Sequence, residues 1–131
     1  MKIADELRIA LSRAMEDAQE RRHEYLTLEH VLLALLHDPD SSDLLKGCGG
    51  KLRDLERDLE LYLEQEVDKL PENVDREPQQ TTAFAAVFQR AATHVLNSGK
   101  DTITGSNVLI ELMRQEDSYA VYLLRQQGID R

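Results

Sequence analysis

The 131-residue sequence predicts an all-α fold made of two copies of one helical unit, and three observations point to it. Thr27-Leu28-Glu29-His30-Val31-Leu32-Leu33-Ala34-Leu35-Leu36 returns as Thr104-Gly105-Ser106-Asn107-Val108-Leu109-Ile110-Glu111-Leu112-Met113. The same offset lays Leu7 on Phe84, Leu11 on Phe88, Arg13-Ala14 on Arg90-Ala91 and Ala18 on Val95. Apolar residues recur at three- and four-residue steps, and no segment alternates with the two-residue period of a half-buried strand. A unit of about 45 residues cannot bury an apolar face alone, so the copies are expected to pack on one another as a pseudo-twofold double repeat.

Ile3, Leu7, Ala10, Leu11, Ala14, Met15 and Ala18 stripe a first helix, and Arg21, Arg22 and His23 close it with charge suited to its carbonyl end. Thr27 is placed as the N-cap of a second helix with Glu29 in its positive first turn. From Val31 to Leu36 that helix is apolar enough to be buried on most sides. Asp40 caps a short third helix carrying Leu44 and Leu45, which Gly47, Gly49 and Gly50 stop. Leu52, Leu55, Leu59, Tyr62, Leu63 and Val67 stripe a fourth.

Residues 71–80 have two prolines, many charges and no period, and read as a mobile connector. The expected division is a first copy at 1–67, a connector at 68–80 and a second copy at 81–131, all within one domain. Thr81 or Thr82 caps the next helix, striped by Phe84, Val87, Phe88, Ala91 and Val95 and ended by Ser98-Gly99-Lys100-Asp101. Thr104 caps the counterpart of helix two, and Ser118 begins a last helix that Gly128 terminates. Seven helices result, with an eighth expected past Arg131.

A formal net charge of −9 opposes binding to nucleic-acid phosphates and anionic membranes, which both attract through clustered Lys and Arg. Basic protein surfaces are better partners. The single cysteine, Cys48, forms no intrachain disulfide and fits a reducing cytoplasm. The longest apolar run is far short of a membrane span, and Asp5, Glu6 and Arg8 interrupt any signal-peptide core.

Signatures of chemistry are weak. Gly47-Cys48-Gly49-Gly50-Lys51 lacks the spacing and the following Ser or Thr of a phosphate loop, and reads as a helix stop with Cys48 as a packed thiol. His23, His30, His37 and His94 raise a metal reading, whose sharpest form is a small zinc hydrolase using His23, His30 or His94. Against it, His23-Glu24-Tyr25-Leu26-Thr27 lacks the second histidine of a zinc-protease helix, and cap, surface or core histidines are preferred. Most carboxylates read as solvated helix faces. One cluster stands out: Glu20, Glu24 and Glu29 lie at the junction of helices one and two, beside His23 and Tyr25, where a loop presents side chains outward.

Arg22-His23-Glu24-Tyr25-Leu26-Thr27-Leu28-Glu29-His30-Val31-Leu32-Leu33-Ala34-Leu35-Leu36 resembles the N-terminal domain of the Clp AAA+ unfoldases, most closely the ClpA type. The likeness extends through Thr81 to Arg90, Asn107-Val108-Leu109 and Ala120-Val121-Tyr122-Leu123-Leu124-Arg125, so it covers essentially the whole chain. It implies a double repeat of a four-helix motif, carried at the front of a hexameric ring that unfolds proteins for the ClpP peptidase. It also implies docking of the adaptor ClpS, which delivers N-degron substrates, and direct contact with some protein substrates. The resemblance assigns adaptor contacts to Glu24 and Glu29, facing basic groups, to Thr81, and to His23 beside them. Gln80 replaces the family's proline before that threonine, and Ala86 stands where a larger basic residue is common.

No Walker motif, sensor or arginine finger can be assigned, so the domain is expected to be non-catalytic and to hold no cofactor. ATP and Mg²⁺ would belong to the motor domains of a longer protein. On this reading, Glu24→Lys with Glu29→Lys keeps the fold and weakens adaptor binding. The rival reading is a chaperone domain that binds unfolded polypeptide directly, in an apolar groove between the copies.

Overall fold

The computed structural model describes residues 1–130. In chain order its elements are β1 (Lys2–Ile3), α1 (Asp5–Glu20), β2 (Tyr25–Leu26), α2 (Leu28–Leu36), α3 (Pro39–Gly47), α4 (Leu52–Gln65), β3 (Gln79–Gln80), α5 (Thr82–Asn97), β4 (Thr102–Ile103), α6 (Gly105–Leu112) and α7 (Tyr119–Gln126). The seven helices are those the apolar stripes predict. The four strands are not, because two residues are too few to show a period.

The repeat is visible in the geometry. β1, α1, β2 and the start of α2 recur 77 residues later as β3, α5, β4 and the start of α6. The strands pair reciprocally and in parallel, β1 with β4 and β2 with β3. Each copy therefore lends its leading strand to the elbow of the other, which is what a pseudo-twofold relation requires. α4 has no counterpart among the described residues, and the eighth helix lies outside them.

α2 sits at the centre because eight of its nine residues are buried. It packs against α1 and α4 most extensively, and also against α3, α5, α6 and α7. Leu7, Leu32, Leu35, Leu55, Leu59, Leu63, Leu109, Leu112 and Leu124 are essentially inaccessible. Full burial of each such side chain is worth about 1.5–3 kcal/mol, so this aliphatic centre supplies most of the driving force.

The caps lock the registers. Thr27 and Thr104 both open capping boxes, with His30 and Asn107 at the corresponding third positions returning an acceptor to the threonine N–H. Thr81 and Ser118 cap α5 and α7 through their hydroxyls. α3 is capped by Asp38 rather than Asp40, with Pro39 at its first position. Asp40 instead accepts from the Ser106 N–H at 2.9 Å, tying α3 to the start of α6. Cys48 lies at the end of α3 as expected, but its thiol is exposed, not packed.

Gly105 shows how closely the copies approach. A Cβ there would lie 2.0 Å from Asp38 Oδ2 and 2.8 Å from Ser41 Oγ, both on buried residues that form the α3 cap. Gly→Ala in a helix is ordinarily favourable by up to about 1 kcal/mol. Here Gly105→Ala is expected to destabilise by about 1–3 kcal/mol through overpacking and loss of the Asp38 cap. Urea unfolding followed by circular dichroism checks the sign.

Candidate functional site

The elbow between α1 and α2 begins where α1 ends without a glycine. Arg21 is its C-cap, and Arg22 takes the left-handed φ of 59° that glycine usually supplies. The Arg22 guanidinium donates to the carbonyls of Pro71 and Val74, and its own carbonyl accepts from the Leu70 N–H at 2.7 Å. These bonds offset a backbone strain of order 1–2 kcal/mol. Arg21 donates to Asp17 at 2.9 Å and to Glu64 at 3.1 Å.

Residues 68–80, expected as a mobile connector, are stitched onto this elbow. The Glu24 N–H donates to the Asp68 carbonyl at 2.9 Å, the Gln79 N–H to the Glu24 carbonyl at 3.0 Å and the Thr81 N–H to the Leu26 carbonyl at 3.2 Å. The β2·β3 pair, with Tyr25 beside Gln79 and Leu26 beside Gln80, thus places Glu24 and Thr81 at opposite ends of one short ladder, although they are far apart in the chain. The Glu24 carboxylate is 30% exposed and accepts from Arg76 at 3.0 Å, and Tyr25 is 40% exposed. Glu20 is also exposed. Thr81 is half-buried, with its hydroxyl accepting from the Phe84 N–H at 3.1 Å.

Glu29 and His23 are not presented outward, which corrects the expectation for both. Glu29 is 6% exposed, and its Oε2 accepts from the Ala120 N–H at 3.1 Å in the first turn of α7. It is an acceptor supplied across the fold to a helix N-terminus, next to the cap that Ser118 gives Val121. Burial pushes its carboxyl upward, partly opposed by bonds from Ala120, its own N–H and Thr27.

His23 is fully buried and lies against His30. The hydrogen bonds fix both tautomers. The Thr27 N–H can only donate, so His30 Nδ1 accepts it at 2.9 Å and Nε2 carries the proton. That Nε2–H donates to His23 Nδ1 at 2.8 Å, and His23 Nε2–H donates to the Leu63 carbonyl at 2.9 Å. Both rings are neutral. Burial lowers the His23 pKa, opposed by the Leu63 carbonyl and Asp17 and helped by Arg21 and Lys69. Burial, then His23 and Arg21, lowers His30 to about 3.

His94 is exposed on α5, and His37 faces Glu56 at 3.5 Å. Among the described residues no three His, Cys, Asp or Glu side chains are grouped to hold a metal, so the zinc reading has no ligand set there. No described helix is long and apolar enough to cross a membrane.

A concavity of about 750 Å³ lies between α1 and α5. Leu11, Met15, Phe84 and Phe88 line it, with Leu26 and Val31 beneath. The α1 and α5 stripes that the sequence assigns to the core are thus only partly covered. Arg76, the ion-pair partner of Glu24, is a site residue that sequence reasoning missed.

Residues 2–127 match the model of the Clp repeat (R) N-terminal domain. The chain is 40% identical over 123 residues to a ClpA homolog protein of Fuscovulum blasticum, covering 93% of this chain and 16% of that protein. It thus spans about a sixth of that relative's length. The fold is similar to the Hsp104 N-terminal domain from Candida albicans, with a TM-score of 0.80 at 17% identity over 99% of this chain and 84% of the other. It is also similar to a ClpV N-domain in complex with a VipB peptide, with a TM-score of 0.76 at 19% identity over 95% of this chain and 78% of that one. With its duplicated helices, reciprocal strands and family match in agreement, the chain belongs to the Clp N-terminal domain family.

Proposed function

We propose that this chain is the recruitment domain of a ClpA-like unfoldase, and that it docks a ClpS-type adaptor at the elbow between α1 and α2. The observation that carries this reading is the β2·β3 pair, which joins the segment of Glu24 and Tyr25 to the segment that runs into Thr81. The domain would act as one unit, without cofactor, in the cytoplasm. ATP and Mg²⁺ would serve the motor domains of the longer protein, and ClpP would receive the unfolded chains.

The mechanism is tethering. A loaded adaptor held on a rigid platform raises the local concentration of substrate at the pore without any new contact to the substrate itself. The carboxylate of Glu24, in a chain of net charge −9, would speed encounter with a basic adaptor surface and help select it. Glu29 contributes from behind, by holding α7 against the base of the elbow.

Arg76 competes for Glu24, which gives the test two directions. Glu24→Lys is expected to weaken ClpS-type adaptor binding on the order of tenfold, and Arg76→Gln to leave it equal or tighter. Calorimetric titration of the adaptor into each variant reads this, and equal affinities for Glu24→Lys and the unaltered chain would remove the elbow from the interface.

The groove between α1 and α5 favours a second reading, direct capture of apolar polypeptide segments. The ClpV N-domain, a structural neighbour, was solved with a VipB peptide. Binding of an unfolded polypeptide that resists salt, ignores Glu24→Lys and is lost with Phe88→Glu would support it.

A further inference from the structure

We propose that a ladder of three tyrosines on α4 and α7 is a separate docking site, which receives an arginine-bearing segment of a partner protein. Tyr62 stacks on Tyr119 with ring centroids 4.2 Å apart and planes at 11°, and Tyr119 stacks on Tyr122 at 5.5 Å and 25°. The two helices do not need these rings to pack. Leu55, Leu59 and Leu63 of α4 and Ala120, Val121 and Leu124 of α7 are already buried between them and the core. The rings lie outside that layer, with Tyr62 and Tyr119 half-buried and Tyr122 52% exposed.

The surroundings are anionic. Asp58, Glu66 and Glu29 act on the ladder, and burial followed by these carboxylates pushes the hydroxyls of Tyr62 and Tyr119 above the ordinary phenol range. Of these causes burial opposes any charge, whereas the carboxylates favour a cation. Glu66 has no ion-pair partner among the described residues, and Asp58 has only a 3.7 Å contact with the 71% exposed Arg57. A cation is attracted to an aromatic face, and the planar, weakly hydrated guanidinium stacks there better than an ammonium. Stacked rings that feel the charge of an unneutralised carboxylate therefore fit arginine in particular. The inference stands whether or not the elbow receives an adaptor.

The chain has four tyrosines and no tryptophan, so its intrinsic emission comes largely from the ladder. A short capped peptide alternating arginine and glycine is expected to change that emission saturably. In a resonance titration the same peptide should shift the amide signals of Tyr62 and Tyr119 to Tyr122. A lysine version should bind about threefold to fivefold more weakly, and a citrulline version not at all. Tyr122→Leu, at an exposed position outside the buried layer and shown by its melting curve to stay folded, should weaken the arginine peptide by a similar factor, while Glu24→Lys should not. No saturation, or binding that Tyr122→Leu leaves intact and Glu24→Lys abolishes, would overturn the ladder as a site.

Discussion

Glu29→Lys is expected to lower the unfolding free energy by about 3–5 kcal/mol, the range for a buried charge left uncompensated. The substitution removes the acceptor of the Ala120 N–H and sets an ammonium, itself a donor, against the positive ends of α2 and α7. Three unfavourable changes coincide at one buried point. Glu29→Gln keeps an acceptor and should cost only about 1 kcal/mol. Glu24→Lys, on a partly exposed side chain with one surface ion pair, should cost about 1 kcal/mol or less. Urea unfolding of the three variants ranks them. A Glu29→Lys protein as stable as Glu24→Lys would mean that the carboxylate faces water, contrary to the geometry. The double reversal is therefore a poor probe of docking, because lost adaptor binding would report unfolding.

The helices were legible because their information is local. Apolar residues at three- and four-residue steps and Thr or Ser ahead of them state a helix and its start within one window, and the 77-residue recurrence states it twice. Asp38 and Asp40 compete for the same cap, and the deciding signal was Pro39, whose fixed φ suits the first helical position and makes the residue before it the cap. The reciprocal strands left no trace. Their bonds join backbone groups, which every residue carries, so the stitching of residues 68–80 onto the elbow has no side-chain signature.

The candidate site divides in the same way. Glu24 and Thr81 were reachable through resemblance, yet only the fold joins their two segments in one ladder. Glu29 looks like any acidic residue in a first turn, and its burial depends on α7, whose N-terminus arrives from the far end of the chain. For the histidines a signal was present. His30 holds the third position of a capping box whose second copy has Asn107 there, which marks it as a neutral acceptor rather than a metal ligand.

The same histidine pair is expected to cost the domain stability in mild acid. Both folded-state pKa values lie below the ordinary 6.5, His30 at about 3. Above about pH 7.5 neither state binds these protons, and the pair contributes no slope. As pH falls through 6.5 the unfolded chain takes up protons that the buried rings refuse, so stability falls and continues to fall toward the folded value. For His30 alone the loss between about pH 7.5 and 5.5 is about 1.4 kcal/mol, and His23 adds to it. Glu29 acts in the opposite sense. Its raised pKa lets the folded state bind a proton first, which stabilises as pH falls through that value and makes the upper part of the window the clearest. His30→Asn installs the residue that the second copy uses, so the Thr27 N–H keeps an acceptor while the link to His23 is lost. The variant should be less stable by about 1–2 kcal/mol at neutral pH and should lose less on acidification. Urea unfolding at three pH values across the window reads both effects, and parallel losses in the two proteins would mean that His30 is protonated in the folded chain.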